Sequence, residues 1–316
     1  MKVDRVEVEY DPGSVVAAAL EAETSGCDGF WVAETRHDPF LALGQVAGRV
    51  RRVELGTAIA VAFARNPMST AVLANDLQLI TGGRFHLGLG SQVEPHITKR
   101  FGMAWSRPAA RMREFVLAIR EIWRAWETGD RPRFRGEFYT HTLMTPFFDP
   151  GPNPHGNPRV WLAGVGERMT EVAGEVADGF LCHDFTTERY LREVTLPALA
   201  RGRAKAGKPL AGLEISGPSL VVTDDESAAA VRRRIAFYGS TPAYRKVLDL
   251  HGWGELHEEL HRLSRRQRWD EMSALVDDEV LRAFAVVGTP AEAAAALRDR
   301  YGDVVTRVAA PVLMTA

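Results

Sequence analysis

Apolar and polar positions along this chain change period repeatedly, from the alternation or short unbroken run of a buried strand to the three-and-four spacing of a helix. The pattern predicts strands over 6–10, 29–33, 53–61, 85–89, 160–163, 179–182, 214–222 and 284–287, with a closing strand over 304–314. Helical segments lie between them over 14–26, 41–50, 68–81, 187–206 and 226–238. The most regular helix follows 85–89: Met112, Phe115, Val116, Ile119, Trp123 and Trp126 form one apolar face, and Gly129 supplies a stop. Asp224 and Asp225 are caps for the helix after 214–222, and Thr289-Pro290-Ala291-Glu292 is a capping box with proline in the first turn.

About eight strand–helix units in one chain favour a closed (β/α)8 TIM barrel over an open doubly wound sheet, which is the alternative. The Pro- and Gly-rich segment 146–158 reads as a loop wrapping one barrel end. Residues 241–282, helical and charged without a strand pattern, read as a helical insertion, so that 1–316 make one domain.

Composition narrows the class. The 316 residues are 46% hydrophobic and 25% charged with a formal net charge of -2, which gives no bulk attraction to nucleic acid or an anionic membrane. Met1-Lys2-Val3-Asp4-Arg5-Val6-Glu7 carries charges where a signal peptide needs an apolar run, and no run reaches membrane-spanning length, so a cytoplasmic protein is expected. Cys27 and Cys182, far apart in sequence, read as small buried hydrophobes rather than a disulfide.

In a barrel, chemistry belongs where strands run into loops. The second strand ends Glu34-Thr35-Arg36-His37-Asp38, an imidazole among carboxylates suited to proton transfer, or else a capped turn with Arg36 paired to Glu34. The third exit, Gly56-Thr57-Ala58-Ile59, is compatible with a bulge against a ring face or with a layer of small core residues. In Gly82-Gly83-Arg84-Phe85-His86-Leu87-Gly88-Leu89-Gly90-Ser91-Gln92, a strand leaves through glycines that let backbone approach a flat ring or phosphate. Gly164-Val165-Gly166-Glu167-Arg168 opens a helix whose amides would attract phosphate; Met169 stands where a dinucleotide fingerprint needs its third glycine. His257-Glu258-Glu259-Leu260-His261 matches the zinc-protease helix motif, although Leu256, Leu260 and Leu263 equally make it a core-facing helix and spacing places no third ligand, His251 being only a candidate.

Leu55-Gly56-Thr57-Ala58, Arg65-Asn66-Pro67, the Gly82–Gly90 segment, Leu162-Ala163-Gly164 and Ala173-Gly174-Glu175-Val176-Ala177-Asp178-Gly179 together resemble the bacterial luciferase-like monooxygenase superfamily over nearly the whole chain. Glu34 to Phe40, Gly90-Ser91-Gln92-Val93 and Arg100-Phe101-Gly102-Met103 are similar to its coenzyme F420-dependent branch. The resemblance implies a TIM barrel with the cofactor ring over the strand ends and a non-proline cis peptide joining Ala58 to Ile59. The ring would be lined by Thr57, Ala58, Ile59, Gly90, Ser91 and Gln92, and the phosphate would sit at Gly164, Val165, Gly166 and Glu167. It implies hydride transfer between F420 and a small organic substrate, with Glu34 or His37 moving the proton. Thr35 departs from the His that relatives often carry there. An FMN-dependent two-component monooxygenase is the alternative on the same scaffold, and a barrel that binds the deazaflavin without turnover is a third reading. A homodimer is expected by the same analogy, with no resident metal. Substrate contacts are expected from Phe147, Phe148, Tyr238, Tyr244 and Arg245, which otherwise serve core packing, while Arg65, Lys99 and Arg100 are candidates for the cofactor's anionic tail.

Overall fold

A computed structural model describes residues 1–310. Eight parallel strands form its centre: β1 (Lys2–Glu7), β2 (Gly29–Val32), β3 (Glu54–Thr57), β4 (Phe85–Gly90), β5 (Arg159–Ala163), β6 (Gly179–Leu181), β7 (Glu214–Gly217) and β8 (Arg307–Val308). Each pairs with the next in sequence, β8 pairs with β1, and β3 pairs directly with β4, so the sheet closes on itself as the TIM barrel the pattern favours. The open-sheet alternative is thereby removed.

The expected strand boundaries shift in four places, each for a physical reason. The first strand is Lys2–Glu7 rather than 6–10, because its charges are absorbed by partners. Asp4, 2% exposed, meets Arg307; Lys2 meets Glu54; Arg5 meets Glu7 and Glu21. The segment 53–61 breaks after Thr57 and resumes as the two-residue strand Ala60–Val61, which pairs with β4. The segment 214–222 likewise divides, and Val221–Val222 pairs with Val286–Val287 in a ribbon separate from the barrel. Residues 284–287 are therefore not a barrel strand: Phe284 ends the helix Asp278–Phe284, and the eighth strand is Arg307–Val308. Positions 311–314 of the expected closing strand lie outside the described residues. The loop 146–158 runs down the barrel's outside, where Asn153 donates to the carbonyl and side chain of Asn75 and the Gly156 carbonyl accepts from Gln78, both on the outer helix Pro67–Thr81.

The end of the barrel where the strands begin is sealed. Arg307 has no exposed surface, donates twice to Asp4 (2.6 and 2.7 Å) and once to Glu54 (2.8 Å), and lies over the rings of Trp31 and Trp161. Burial would raise Glu54, but His86, Lys2 and Arg307 hold it below the ordinary carboxylate range. Trp161 donates from Nε1 to His86 Nδ1 at 3.1 Å. The indoles fit because a Cβ on Gly56 would fall 2.2 Å from Trp31, and one on Gly179 2.3 Å from Trp161.

A main core joins barrel and surrounding helices, while Phe185, Leu220, Ile235, Leu248, Leu260, Met272 and Phe284 form a second. The second core is built by Asp225–Gly239 and the helices Arg245–Leu250, Gly254–Ser264, Trp269–Ala274 and Asp278–Phe284. Among the described residues no helix is long and apolar enough to cross a membrane.

Replacing Arg307 by leucine strands Asp4 in a dry environment without its cation. Urea unfolding should show a loss of about 3–5 kcal/mol; a loss under about 1 kcal/mol would mean the cluster is not a stabilising element.

Candidate active site

Parallel closure brings all eight strand C-termini to one face, and five exits there hold the candidate groups. At the β2 exit the Glu34 carboxylate, 8% exposed, accepts from the Val61 amide (2.7 Å) and from Arg65 Nη1 (2.5 Å). Arg65 also donates from Nη2 to Asp38 (2.5 Å), and Asp38 in turn caps the helix Pro39–Ala47 through the amides of Phe40 and Leu41. Arg65 is thus committed to two carboxylates, while Arg36 faces Glu9 across 3.6 Å. His37 is exposed with its ring 5.5 Å from that of Tyr10; both line a cleft of about 370 Å³ with Glu9, Asp11, Thr35 and Arg36. Burial, with Asp38 and Glu34 nearby, pushes the Tyr10 phenol up to about 12. Thr35 has a structural task, its hydroxyl donating to the Val8 carbonyl (2.7 Å) and its carbonyl accepting from Arg100 (2.7 Å). Lys99 is exposed.

The β3 exit is a bulge, and the peptide joining Ala58 to Ile59 is cis. The Ala58 amide donates to Val32 and the Ile59 carbonyl accepts from Glu34 (3.0 Å). The wholly buried Thr57 hydroxyl donates to the Gly88 carbonyl (2.6 Å) and accepts from the Gly88 amide (2.9 Å). A Cβ on Gly88 would sit 1.8 Å from the Thr57 carbonyl oxygen, and one on Gly90 2.8 Å from Ile59 Cδ1. The glycines of β4 therefore make room first for the bulge. Thr57, Ala58, Ile59, Gly90, Ser91 and Gln92 are gathered on these two adjoining exits, with Gln92 in the left-handed region at φ 60°.

At the β5 exit, Gly166 (φ 78°) precedes the helix Glu167–Val176, which no side chain caps. A Cβ on Gly166 would meet open space, whereas one on Gly164 would crowd Met169, Phe180 and the Thr170 amide at 3.2 Å. Val165 is 39% exposed, and Glu167 pairs with Arg201 (3.1 Å) on the outer side.

The β6 exit carries His183, which is not among the residues expected from the sequence. His183 accepts at Nδ1 from the Phe185 amide (3.0 Å) and meets the Tyr244 hydroxyl through Nε2 (3.1 Å). Tyr238 stands edge-on to it at 4.5 Å. Burial lowers its pKa, against an opposing pull from Asp184. Leu181-Cys182-His183-Asp184 at a strand end is the same signal that drew attention to Glu34, and it could have been found by the same rule. Burial raises the Cys182 thiol to about 12, in keeping with an inert packing residue.

Of the residues expected at the substrate, Tyr238 and Tyr244 come together here. Phe147 and Phe148 do not: they are 89% and 71% exposed, packed on one another in the connection returning to β5. Arg245 points to Asp249 and Glu258 at 3.4 and 3.2 Å. In the protease-like motif, His257 and His261 bond through Nδ1 to the carbonyls of Gly239 and Ser240, which end the neighbouring helix, and Glu258 is paired with Arg245. Among the described residues no group of three or more His, Cys, Asp or Glu side chains is placed to hold a metal.

The sequence pattern that defines luciferase-like monooxygenases matches residues 4–307. An uncharacterized protein of Mycobacterium tuberculosis is 56% identical over 95% of this chain and 89% of its own length. An F420-dependent glucose-6-phosphate dehydrogenase of Rhodococcus erythropolis is 31% identical over 76% of this chain and 74% of its own. The solved coenzyme F420-dependent tetrahydromethanopterin reductase of Methanopyrus kandleri superposes with a TM-score of 0.80 at 20% identity, covering 98% of this chain and 92% of that one. The chain belongs to the luciferase-like monooxygenase family.

Gly88→Ala forces a methyl group against the Thr57 carbonyl and must displace backbone. A loss of about 1–3 kcal/mol in chemical unfolding is expected; unchanged stability would show the β3–β4 contact to be loose.

Proposed function

We propose that this chain is an oxidoreductase that transfers a hydride between coenzyme F420 and a small organic substrate. The observation that carries the reading is the uncapped helix start at Gly166, on the same barrel face as the bulge Ala58–Ile59. A helix start with free amides and no β-carbon in the way suits an anionic tail, and an apolar bulge beside it suits the back of a flat ring. The F420-dependent relative at 31% identity supports the choice of deazaflavin.

The residues present fit such a group. Ile59 and Ala58 would back the ring, with Thr57 fixing their strand and Gly90, Ser91 and Gln92 along its edge. Gly164, Val165, Gly166 and Glu167 would present amides to the phosphate. When bound, F420 supplies a ring carbon that gives or accepts a hydride, where FMN would offer a nitrogen and oxygen chemistry. The chain's contribution is to hold, orient and exclude water. Glu34, Arg65 and Asp38 act in this reading as a braced link between the β2 exit and the bulge, since Glu34 binds both Arg65 and the Val61 amide. His37, exposed beside Tyr10, is on hand at the rim for proton exchange with water.

Titration of the protein with F420 and separately with FMN, followed by absorbance and fluorescence, tests the reading. Saturable F420 binding is expected, weakened at least tenfold in Val165→Asp, whose carboxylate would repel the anionic tail, with unfolding behaviour unchanged. Saturable FMN binding with oxygen consumption and no F420 binding would replace it with the flavin monooxygenase reading.

A further inference from the structure

We propose that Tyr244 hydrogen-bonds the substrate's oxygen and that His183 is the positioning residue that aims it, so that the substrate is a small compound whose reacting carbon bears oxygen, a carbonyl in one direction and an alcohol in the other. The proposal rests on the oxidoreductase reading above and deepens it.

The direction of the hydrogen bonds follows from one amide. The Phe185 N–H donates to His183 Nδ1 at 3.0 Å, so that nitrogen holds a lone pair and the ring proton sits on Nε2. His183 Nε2–H then donates to the Tyr244 oxygen at 3.1 Å. A phenol that accepts from the imidazole cannot return its own proton there, and its single O–H must point elsewhere. Among the described residues no acceptor meets it. The acid that could compete for the imidazole is occupied: Asp184 accepts from Ser219 and pairs with Arg234, both at 3.3 Å.

The surroundings keep the pair neutral and ordered. Tyr238 is edge-on to His183 at 4.5 Å, and Phe185 lies 5.6 Å from the Tyr244 ring. Burial, with Tyr238 as neighbour, holds the Tyr244 phenol above its ordinary range, so it stays a donor. His183 lies two residues beyond β6, on the strand-end face of the barrel, where the intervening Cys182 amide is still bonded to Ser216 of β7, and the Tyr244 hydroxyl is held beside it. Tyr244 itself comes from the turn Pro242–Tyr244 that begins the helical insertion.

The step balances. In reduction, the carbonyl carbon takes a hydride from the reduced deazaflavin while its oxygen takes the Tyr244 proton. The phenolate left behind is held by His183 Nε2–H until water reprotonates it. His183 does not relay a proton, since Nδ1 is engaged by the Phe185 amide; it fixes the direction of the Tyr244 O–H.

Cyclohexanone and its oxygen-free analogue methylenecyclohexane serve as probes, with binding followed by ligand-detected NMR in the protein with and without F420. The wild type should prefer cyclohexanone roughly tenfold, the worth of one well-placed hydrogen bond. Tyr244→Phe, an isosteric change checked by circular dichroism, should erase the preference. His183→Leu should erase it too, whereas His183→Gln, whose amide can still donate, should keep most of it. Ring-¹⁵N spectra should show His183 protonated at Nε2 only. Equal binding of the two probes by the wild type, or a preference that survives in Tyr244→Phe, overturns the proposal. Intact preference in a protein that binds no F420 would instead sink the cofactor reading and leave the His183–Tyr244 pair standing.

Discussion

The contact between Thr57 and Gly88 is the constraint from which the rest of the molecule follows. Strands β3 and β4 are neighbouring staves of the ring, paired through Leu55 opposite Phe85 and Gly56 opposite His86. One pair further along, the chain of β3 turns aside into the bulge, and a ladder would normally fail there. Instead the Thr57 hydroxyl serves both backbone groups of Gly88, and the missing Cβ lets the Thr57 carbonyl approach. A buried hydroxyl satisfied as donor and acceptor is well suited to a dry seam. Closure of the barrel and the shape of its mouth are thus one piece of geometry.

The two ends of the barrel divide their tasks by chemistry. The strand beginnings gather Asp4, Glu54, His86, Glu214 and Arg307 into a polar floor beneath two indoles, with Asp4, His86 and Arg307 buried and the two glutamates about a quarter exposed. That arrangement serves rigidity, as expected for this end of such a barrel. The strand ends carry small residues, unpaired backbone and the His183 and Glu34 side chains. The second hydrophobic core, with Phe185 and Phe284 stacked at 4.5 Å, anchors the β6 side of the mouth from outside the barrel.

Much of this was legible in the chain. The alternation of periods, the capping residues Asp224 and Thr289 and the apolar face of Pro108–Thr128 are local signals, and local signals survive without knowledge of tertiary partners. The first strand was hidden because Lys2, Asp4, Arg5 and Glu7 look solvated until their partners, some 300 residues away in the case of Asp4 and Arg307, are in place. Residues 284–287 looked like a barrel strand because two valines suffice for a ribbon as well as for a stave. The glycines of β4 were conspicuous, but their immediate work is to admit the bulge. Glu34 was visible; that Arg65 would take its carboxylate was not, because 31 positions separate them. His183 was missed although its setting matched the rule applied elsewhere. Its link to Tyr244, 61 positions on, depends on how the helices after Val221–Val222 fold back.

The sealed floor has a kinetic corollary. With Arg307, Trp31 and Trp161 filling the axis at the strand beginnings, passage through the ring from that side is blocked, which leaves the strand-end face for exchange. Two ligands stacked one above the other at that face would therefore have to come and go in a fixed order, the deeper one first in and last out.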